Sequence, residues 1–290
     1  MIKGLTDKLI KWWRIYRVNT LGVIGLVTFV ILVVLIIIGP WIAPYDPGEM
    51  SPDKWLPPSW KHLLGTNKVG QDIFSKLLYS GQISLLLGVV AASATSIIGT
   101  TIGLIAGYYG GLVDEVILRI CDVIMTLPAL PLMLIMAVVL GPGWTTILLV
   151  IVITGWARPV RRMRVMVLSM KTAPYVQAAK SMGASSWRII FRHMLPNVGG
   201  LFSASITLGI TRVIMLEAAL SFLGFGDPLH ESLGIMLHTA QSEGAFSRGA
   251  WWTWIPPGLV LTMIGLSCIF IGNAINERFV LRLRRRRGMF

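Results

Sequence analysis

The sequence predicts an all-α integral membrane protein of six transmembrane helices, with the N- and C-termini cytoplasmic. Three observations carry this: an apolar excess, long uncharged runs separated by polar links, and a lopsided placement of lysine and arginine. Of 290 residues, 54% are hydrophobic and 13% charged, and mean hydropathy is +0.72. An ordinary soluble domain has roughly a quarter of its residues charged, so this chain lacks the polar surface to be covered by water. Its length suits roughly five to seven spans of about 20 residues plus their links.

The first uncharged run, Val18 to Tyr45, follows a basic segment holding Lys3, Lys8, Lys11, Arg14 and Arg17. At 28 residues it exceeds a signal-peptide core, so residues 1–20 read as a cytoplasmic segment and 21–43 as an uncleaved first span. The proline-rich stretch 44–80 reads as an extracytoplasmic loop ending in a short amphipathic helix at Gln71–Tyr79. Five further spans fill a second region, 81–276, before a basic tail at 277–290. The second span is placed at Ile83–Tyr108, with Gly99, Gly103 and Gly107 at four-residue intervals. That spacing lets another helix approach closely, although glycine is common in membrane helices and the spacing alone does not decide.

The third span lies near Val116–Leu140; Arg119 and Asp122 sit one turn apart at its start, in position to pair. Pro128 and Pro131 should bend it. The fourth is placed at Trp144–Met166, and the fifth at Val198–Gly224 with two charges inside it, Arg212 and Glu217. Five residues apart, these two lie roughly 140° around a helix from one another. Either they line a path or each pairs with another span. The outer loop 225–250 holds Asp227, His230 and Glu231, which read as solvated more readily than as partner contacts, and the sixth span is Trp251–Ile275.

Orientation follows from the basic residues. With the N-terminus inside, twenty of the 26 lysines and arginines face the cytoplasm, five fall in outer loops, and Arg212 lies within a span. The net charge of +13 is therefore a topology signal; a nucleic-acid partner is excluded because the charges alternate with apolar runs. Cys121 and Cys268 fall in or beside apolar segments, and His62, His193, His230 and His238 have no ligand spacing, so no disulfide or metal is expected. Phosphate-loop, HExxH, GxSxG and CxxC motifs are all missing from the sequence. No catalytic residue and no cofactor is expected, and any energy must come from a partner.

The long basic loop, Arg158 to Pro196, reads as two short helices with a break. Pro174 suits a first helical turn, Gly183 a left-handed helix end, and Ser185 a cap for the second helix. Trp187, Ile190, Phe191 and Met194 follow the spacing of one apolar face, with Arg188 and Arg192 on another and Pro196 as a stop. The residues alone allow an amphipathic loop on the inner leaflet or a docking element for another protein.

Gln177-Ala178-Ala179, Gly183 four residues later and the ending Ile190–Pro196 resemble the EAA loop of binding-protein-dependent ABC transporter permeases. Further strings resemble the dipeptide/oligopeptide/nickel type, C-type subunit. They are Ala43-Pro44-Tyr45-Asp46-Pro47, Leu64-Gly65-Thr66-Asn67 through Gly70-Gln71-Asp72 to Ile83-Ser84-Leu85, Gly110-Gly111-Leu112-Val113-Asp114 and Leu220-Ser221-Phe222-Leu223-Gly224. Together they run in order from about residue 18 to 278. Two positions depart from the pattern: Gln177 stands for the loop's usual glutamate, and Gln71 for the arginine usual after Gly70.

The resemblance implies a type I ABC importer permease fold in the cell membrane, with a coupling loop at 167–196. It implies that Gln177, Ala178, Ala179, Gly183, Trp187, Arg188 and Arg192 engage an ATPase, and makes Arg212 and Glu217 candidates for the translocation path. The partners implied are two ABC ATPase subunits, a second, B-type permease and an extracytoplasmic substrate-binding protein. The cargo implied is di- or oligopeptides, with oligosaccharides or nickel as alternatives; a stand-alone channel or secondary carrier is the remote one.

Overall fold

Asn19 caps the first helix by accepting the N–H of Gly22 at 2.9 Å, and α1 runs from Thr20 to Ile42. The computed structural model describes residues 19–286, with residues 278–286 by backbone alone. The basic N-terminal segment thus lies outside the described residues, as do the side chains of the arginine-rich tail. Most large side chains of α1 are exposed, including Leu21, Ile24, Ile31 and Ile37. An apolar helix surface of this kind calls for lipid rather than water.

Asp72 caps the next helix by accepting the N–H of Ser75 at 2.8 Å, and α2 extends from Ile73 to Tyr109. The expected amphipathic helix at Gln71–Tyr79 is therefore the start of the second span itself. Only Gly81 could interrupt the two, and a lone glycine costs a helix about 1 kcal/mol, too little to break 37 residues. At roughly 55 Å, α2 exceeds the ~30 Å hydrocarbon core of a bilayer and projects beyond it.

The chain then forms α3 (Gly111–Thr126) and α4 (Ala129–Leu140), bent by 87°. Leu127 is forced into an extended conformation as the residue before Pro128, while Pro131 sits in the first turn of α4, where its missing N–H does no harm. The bend expected of the third span is thus nearly a right angle. The fourth span is also divided, into α5 (Trp144–Gly155) and α6 (Ala157–Lys171), because Pro159 has no N–H to give the carbonyl of Gly155. Asp122 pairs with Arg161 of α6 and not with Arg119, because α6 lies alongside; Arg164 holds Asp114 with two bonds of 2.5 and 2.6 Å.

After the short α7 (Pro174–Ser181), a 40-residue helix, α8, runs from Ser186 to Phe225. Pro196 does not stop it. A π-type turn at Ile189–Met194 directly precedes the proline, and widening the helix there relieves the clash its ring would make with the previous turn. Gly224, at φ +93°, ends the helix. Then come α9 (Leu233–Ser242), a 3₁₀ turn at Trp251–Thr253 and α10 (Ile255–Arg286). Among the described residues there is no strand, only an isolated bridge between Thr66 and Asp72.

The glycines at 99, 103 and 107 make a seam between α2 and α6. A Cβ at these positions would lie 2.5 Å from Pro159 Cβ, 2.7 Å from the Val160 carbonyl oxygen and 2.8 Å from Val167 Cβ. On its other side α2 carries α8, with Ile214 filling the space above Gly88. Thr211 of α8 donates to the Gly265 carbonyl of α10 at 3.0 Å, and Asn19 donates to Glu277 at 2.9 Å, closing α10 onto α1. Among the described residues four helical segments are long and apolar enough to cross a membrane, Thr20–Ile42, Ile73–Tyr109, Ser186–Phe225 and Trp251–Glu277; the bent α3–α4 pair, taken as one span, makes a fifth. The six expected spans are thus matched by four or five on length and apolarity, the divided α5–α6 falling short.

Gly103→Val should push α6 away from α2. Overpacking of this kind costs about 1–3 kcal/mol, so the detergent-solubilised protein should melt several degrees lower; an unchanged Tm would argue against the seam.

Candidate functional site

The connector between α6 and α8 is built from local signals. Ala173 is extended, Pro174 opens α7, and Gly183 closes it at φ +76°. The closing pattern is a Schellman motif: Ala184 N–H donates to the Ala179 carbonyl at 3.1 Å and Gly183 N–H to that of Lys180 at 3.0 Å. Ser185 then accepts the N–H of Arg188, starting α8.

One side of this connector is bound into the protein. Val176 and Ala179 pack in a cluster with Leu104, Met163, Val167, Ile189, Ile190 and Met194. The other side is open: Gln177, Ala178, Met182, Trp187, Arg188 and Arg192 are exposed, and Trp187 stacks on Phe191 with ring centroids 5.3 Å apart. Two expectations change here. Of the small pair only Ala178 is available to a partner, since Ala179 is 3% exposed. The single apolar face splits, Ile190 and Met194 inward, Trp187 and Phe191 outward, because the π turn rotates side chains away from the 3.6-residue spacing. Gln177 donates its Nε2 to the Lys171 carbonyl at 2.9 Å, capping the end of α6. A glutamate in its place has no hydrogen to give.

The two charges of the fifth span differ sharply. Arg212 is exposed in this chain and forms no ion pair among the described residues. Glu217 is 1% exposed, and its oxygens accept from Ser221 at 2.7 Å and Ser84 of α2 at 3.2 Å. Among the described residues its hydrogen-bond partners are hydroxyls, with no cation in ion-pair contact.

At the far end from the connector, the loops 44–72 and 226–250 are tied to the helices by polar contacts that sequence spacing did not reveal. Asp227, expected to be solvated, is buried; it accepts the N–H of Trp144 at 3.0 Å and so caps α5 from a distance. Burial opposes its ionisation, but the N–H of Leu229, the His230 ring and the N–H of Trp144 outweigh that and hold its carboxyl below the usual range. Glu231 pairs with the buried Lys76 at 2.8 Å, and Lys76 also donates to Gln71 at 2.6 Å. Gln71 thus accepts from a lysine where an arginine would place a second cation. His62, buried, bonds Asp72 at 2.9 Å and stacks on Tyr45. Among the described residues no group of histidine, cysteine or acid side chains is arranged to hold a metal.

Residues 99–285 match the family model described as "Binding-protein-dependent transport system inner membrane component". The chain belongs to this family. Residues 10–58 match a second model, the "N-terminal TM domain of oligopeptide transport permease C". The chain is 34% identical over 275 residues to the dipeptide transport system permease protein DppC of Bacillus subtilis (strain 168), covering 94% of this chain and 85% of that one. It is 34% identical to the oligopeptide transport system permease protein OppC of the same organism, covering 86% and 81%, and 34% identical to DppC of Haemophilus influenzae, covering 83% of each. As a member of this family the chain is a multi-pass inner-membrane component of a transport system, and its relatives are permeases, not enzymes.

Asp227→Ala should destabilise the α5 start by about 1 kcal/mol, the usual worth of a cap. Because the carboxyl titrates below its ordinary value of 3.8, the wild-type advantage should be full above that value and disappear as pH falls through the lower folded-state value. Thermal melts of both proteins across pH 3–7 check this; a pH-independent difference would contradict it.

Proposed function

We propose that this chain is one permease half of an ATP-driven importer of di- or oligopeptides, crossing the membrane six times with both termini cytoplasmic. The sixth crossing is the divided α5–α6, whose arginines stand at the cytoplasmic boundary together with most of the basic residues. Two ATPase subunits, a B-type permease and an extracytoplasmic binding protein complete the assembly.

The observation that carries this reading is the two-sided connector at 172–195. A partner's push on Ala178, Met182, Trp187 and Phe191 reaches α6 and α8 directly, because Val176, Ala179 and Ile190 leave little compressible space beneath. Hydrolysis in the partner thereby rocks the spans as rigid bodies, with no covalent chemistry in this chain. Peptide cargo is supported by the relatives, which are named as dipeptide and oligopeptide permeases. Arg212 fits a water-filled path: facing lipid at mid-span, it would cost about 2.5–3.5 kcal/mol.

Gly183→Val should leave insertion intact, since nothing lies within 4 Å of the added Cβ. It forces a β-branched residue into a left-handed conformation, at about 1–2 kcal/mol, and so disturbs the docking face. In proteoliposomes holding the whole importer, ATP-dependent dipeptide uptake should fall several-fold with this chain still present; wild-type uptake in the variant would remove the connector's role. Arg212→Met should preserve assembly and change uptake or cargo preference, whereas loss of assembly alone would make Arg212 structural.

A further inference from the structure

Glu217 stands near one end of the 40-residue α8, which at 1.5 Å per residue is roughly 60 Å long. The other end of that helix begins in the connector, at Ser186. The carboxyl joins three pieces of chain. Ser221, one turn on, donates to one oxygen, and Ser84 of α2 donates to the other. The same Ser84 hydroxyl accepts the N–H of Leu233, the first residue of α9, at 3.1 Å. Ser232, the residue before α9, caps that helix by accepting the N–H of Ile235 at 3.3 Å. The acid therefore lies beside the N-terminus of α9, linked to its first N–H through the Ser84 hydroxyl.

Packing reinforces the joint. A Cβ on Gly234 would fall 2.7 Å from Ala218 Cα, so α9 is seated directly on α8. Further out, Lys76 of α2 holds Glu231, and Asp227 caps α5. Seating alone does not need a carboxylic acid, since buried polar groups are often replaceable by apolar ones of similar size without loss of stability. A carboxyl that binds hydroxyls from two helices and sits at the start of a third specifies how the three are arranged.

We propose that Glu217 is a positioning residue that locks α9, and with it the hairpin 226–250, to α8 and α2, so that the hairpin is carried by α8 instead of opening as a separate lid. Resting on the importer reading above, this makes α8 one strut from the ATPase-facing connector to the opposite entrance. An outer gate then opens in the same movement that ATP drives at the connector.

The test uses the complete importer in lipid, with spin labels at Ser203→Cys on α8 and Gln241→Cys at the end of α9, both exposed positions. In the wild type the interspin distance should stay narrow and unchanged on adding ATP; a distance that shifts with ATP would overturn the proposal. Glu217→Leu should broaden it and lower peptide uptake per ATP hydrolysed by about tenfold, the size of an ordinary coupling free energy. Should Glu217→Leu fail to assemble, Ser84→Ala and Ser84→Thr decide: alanine should broaden the distance and uncouple uptake, while threonine, keeping the hydroxyl, should restore both. Equal behaviour of those two variants would refute the lock. If the wild type shows no ATP-dependent uptake at all, the importer reading fails, yet the resting distances still judge the lock.

Discussion

Everything else in this molecule is positioned by the contact of α2 with α6 along Gly99, Gly103 and Gly107. Inside a bilayer, apolar side chains gain nothing by leaving lipid for one another, so helices associate through van der Waals fit where small residues let backbones meet. The Val160 carbonyl of α6 lies so near Gly103 that a single methyl would collide with it. With α6 fixed, its Arg161 and Arg164 hold α3 through Asp122 and Asp114, and its last turn delivers the connector. The opposite side of α2 receives α8 through Gly88 and Ala92. One helix thus sets the distance between the connector's two anchors, α6 and α8.

Prolines show what a sequence can and cannot disclose about this fold. Pro174 and Pro128 act locally, through a fixed φ and a constraint on the preceding residue, and both effects are legible from neighbours alone. Pro196 is different. Whether a proline ends a helix depends on whether the preceding turn can widen, and the π turn at Ile189–Met194 is held by the cluster of Ile189, Ile190 and Met194 with Leu104 and Met163. Those contacts join distant parts of the chain, so the 40-residue α8 was hidden from a reading of nearby residues, and so was the split of Trp187 and Phe191 from Ile190 and Met194. The four long apolar helices lie over uncharged runs of the sequence, because a helix in lipid must keep charge off most of its length. The merging of the 71–79 helix into α2 followed from the absence of any breaker, a weaker signal than the presence of one.

The candidate site divides the same way. Gly183, Pro174 and Ser185 are where their chemistry says they belong, since capping depends on residues within one turn. Gln177 is the instructive departure. Its amide donates to Lys171, which ties α7 to α6 within this chain; a carboxylate at that place would meet the carbonyl as a second acceptor. The substitution therefore exchanges an anionic group for an internal brace, and leaves an outward surface that mixes Ala178, Met182 and the stacked Trp187–Phe191 pair with the cations of Lys180, Arg188 and Arg192. A surface of that kind offers a partner apolar anchors and positive charge together.

The acid of the fifth span was visible as an oddity, and its meaning was not, because Ser84 lies 133 residues away. A carboxyl has two oxygens with several lone pairs and can accept from separate helices at once, which no apolar side chain does. In lipid the alternative to those bonds is an unmet polar group, so an arrangement that breaks them is penalised more heavily than one that merely loosens packing. The joint between α2, α8 and α9 is therefore stiff against sliding, whereas α1, most of whose large side chains face outward, is tied by single polar contacts, from Gln82 to the Ile36 carbonyl and from Asn19 to Glu277. Stiffness placed at one end of a helix whose other end enters the connector is what a mechanical linkage requires.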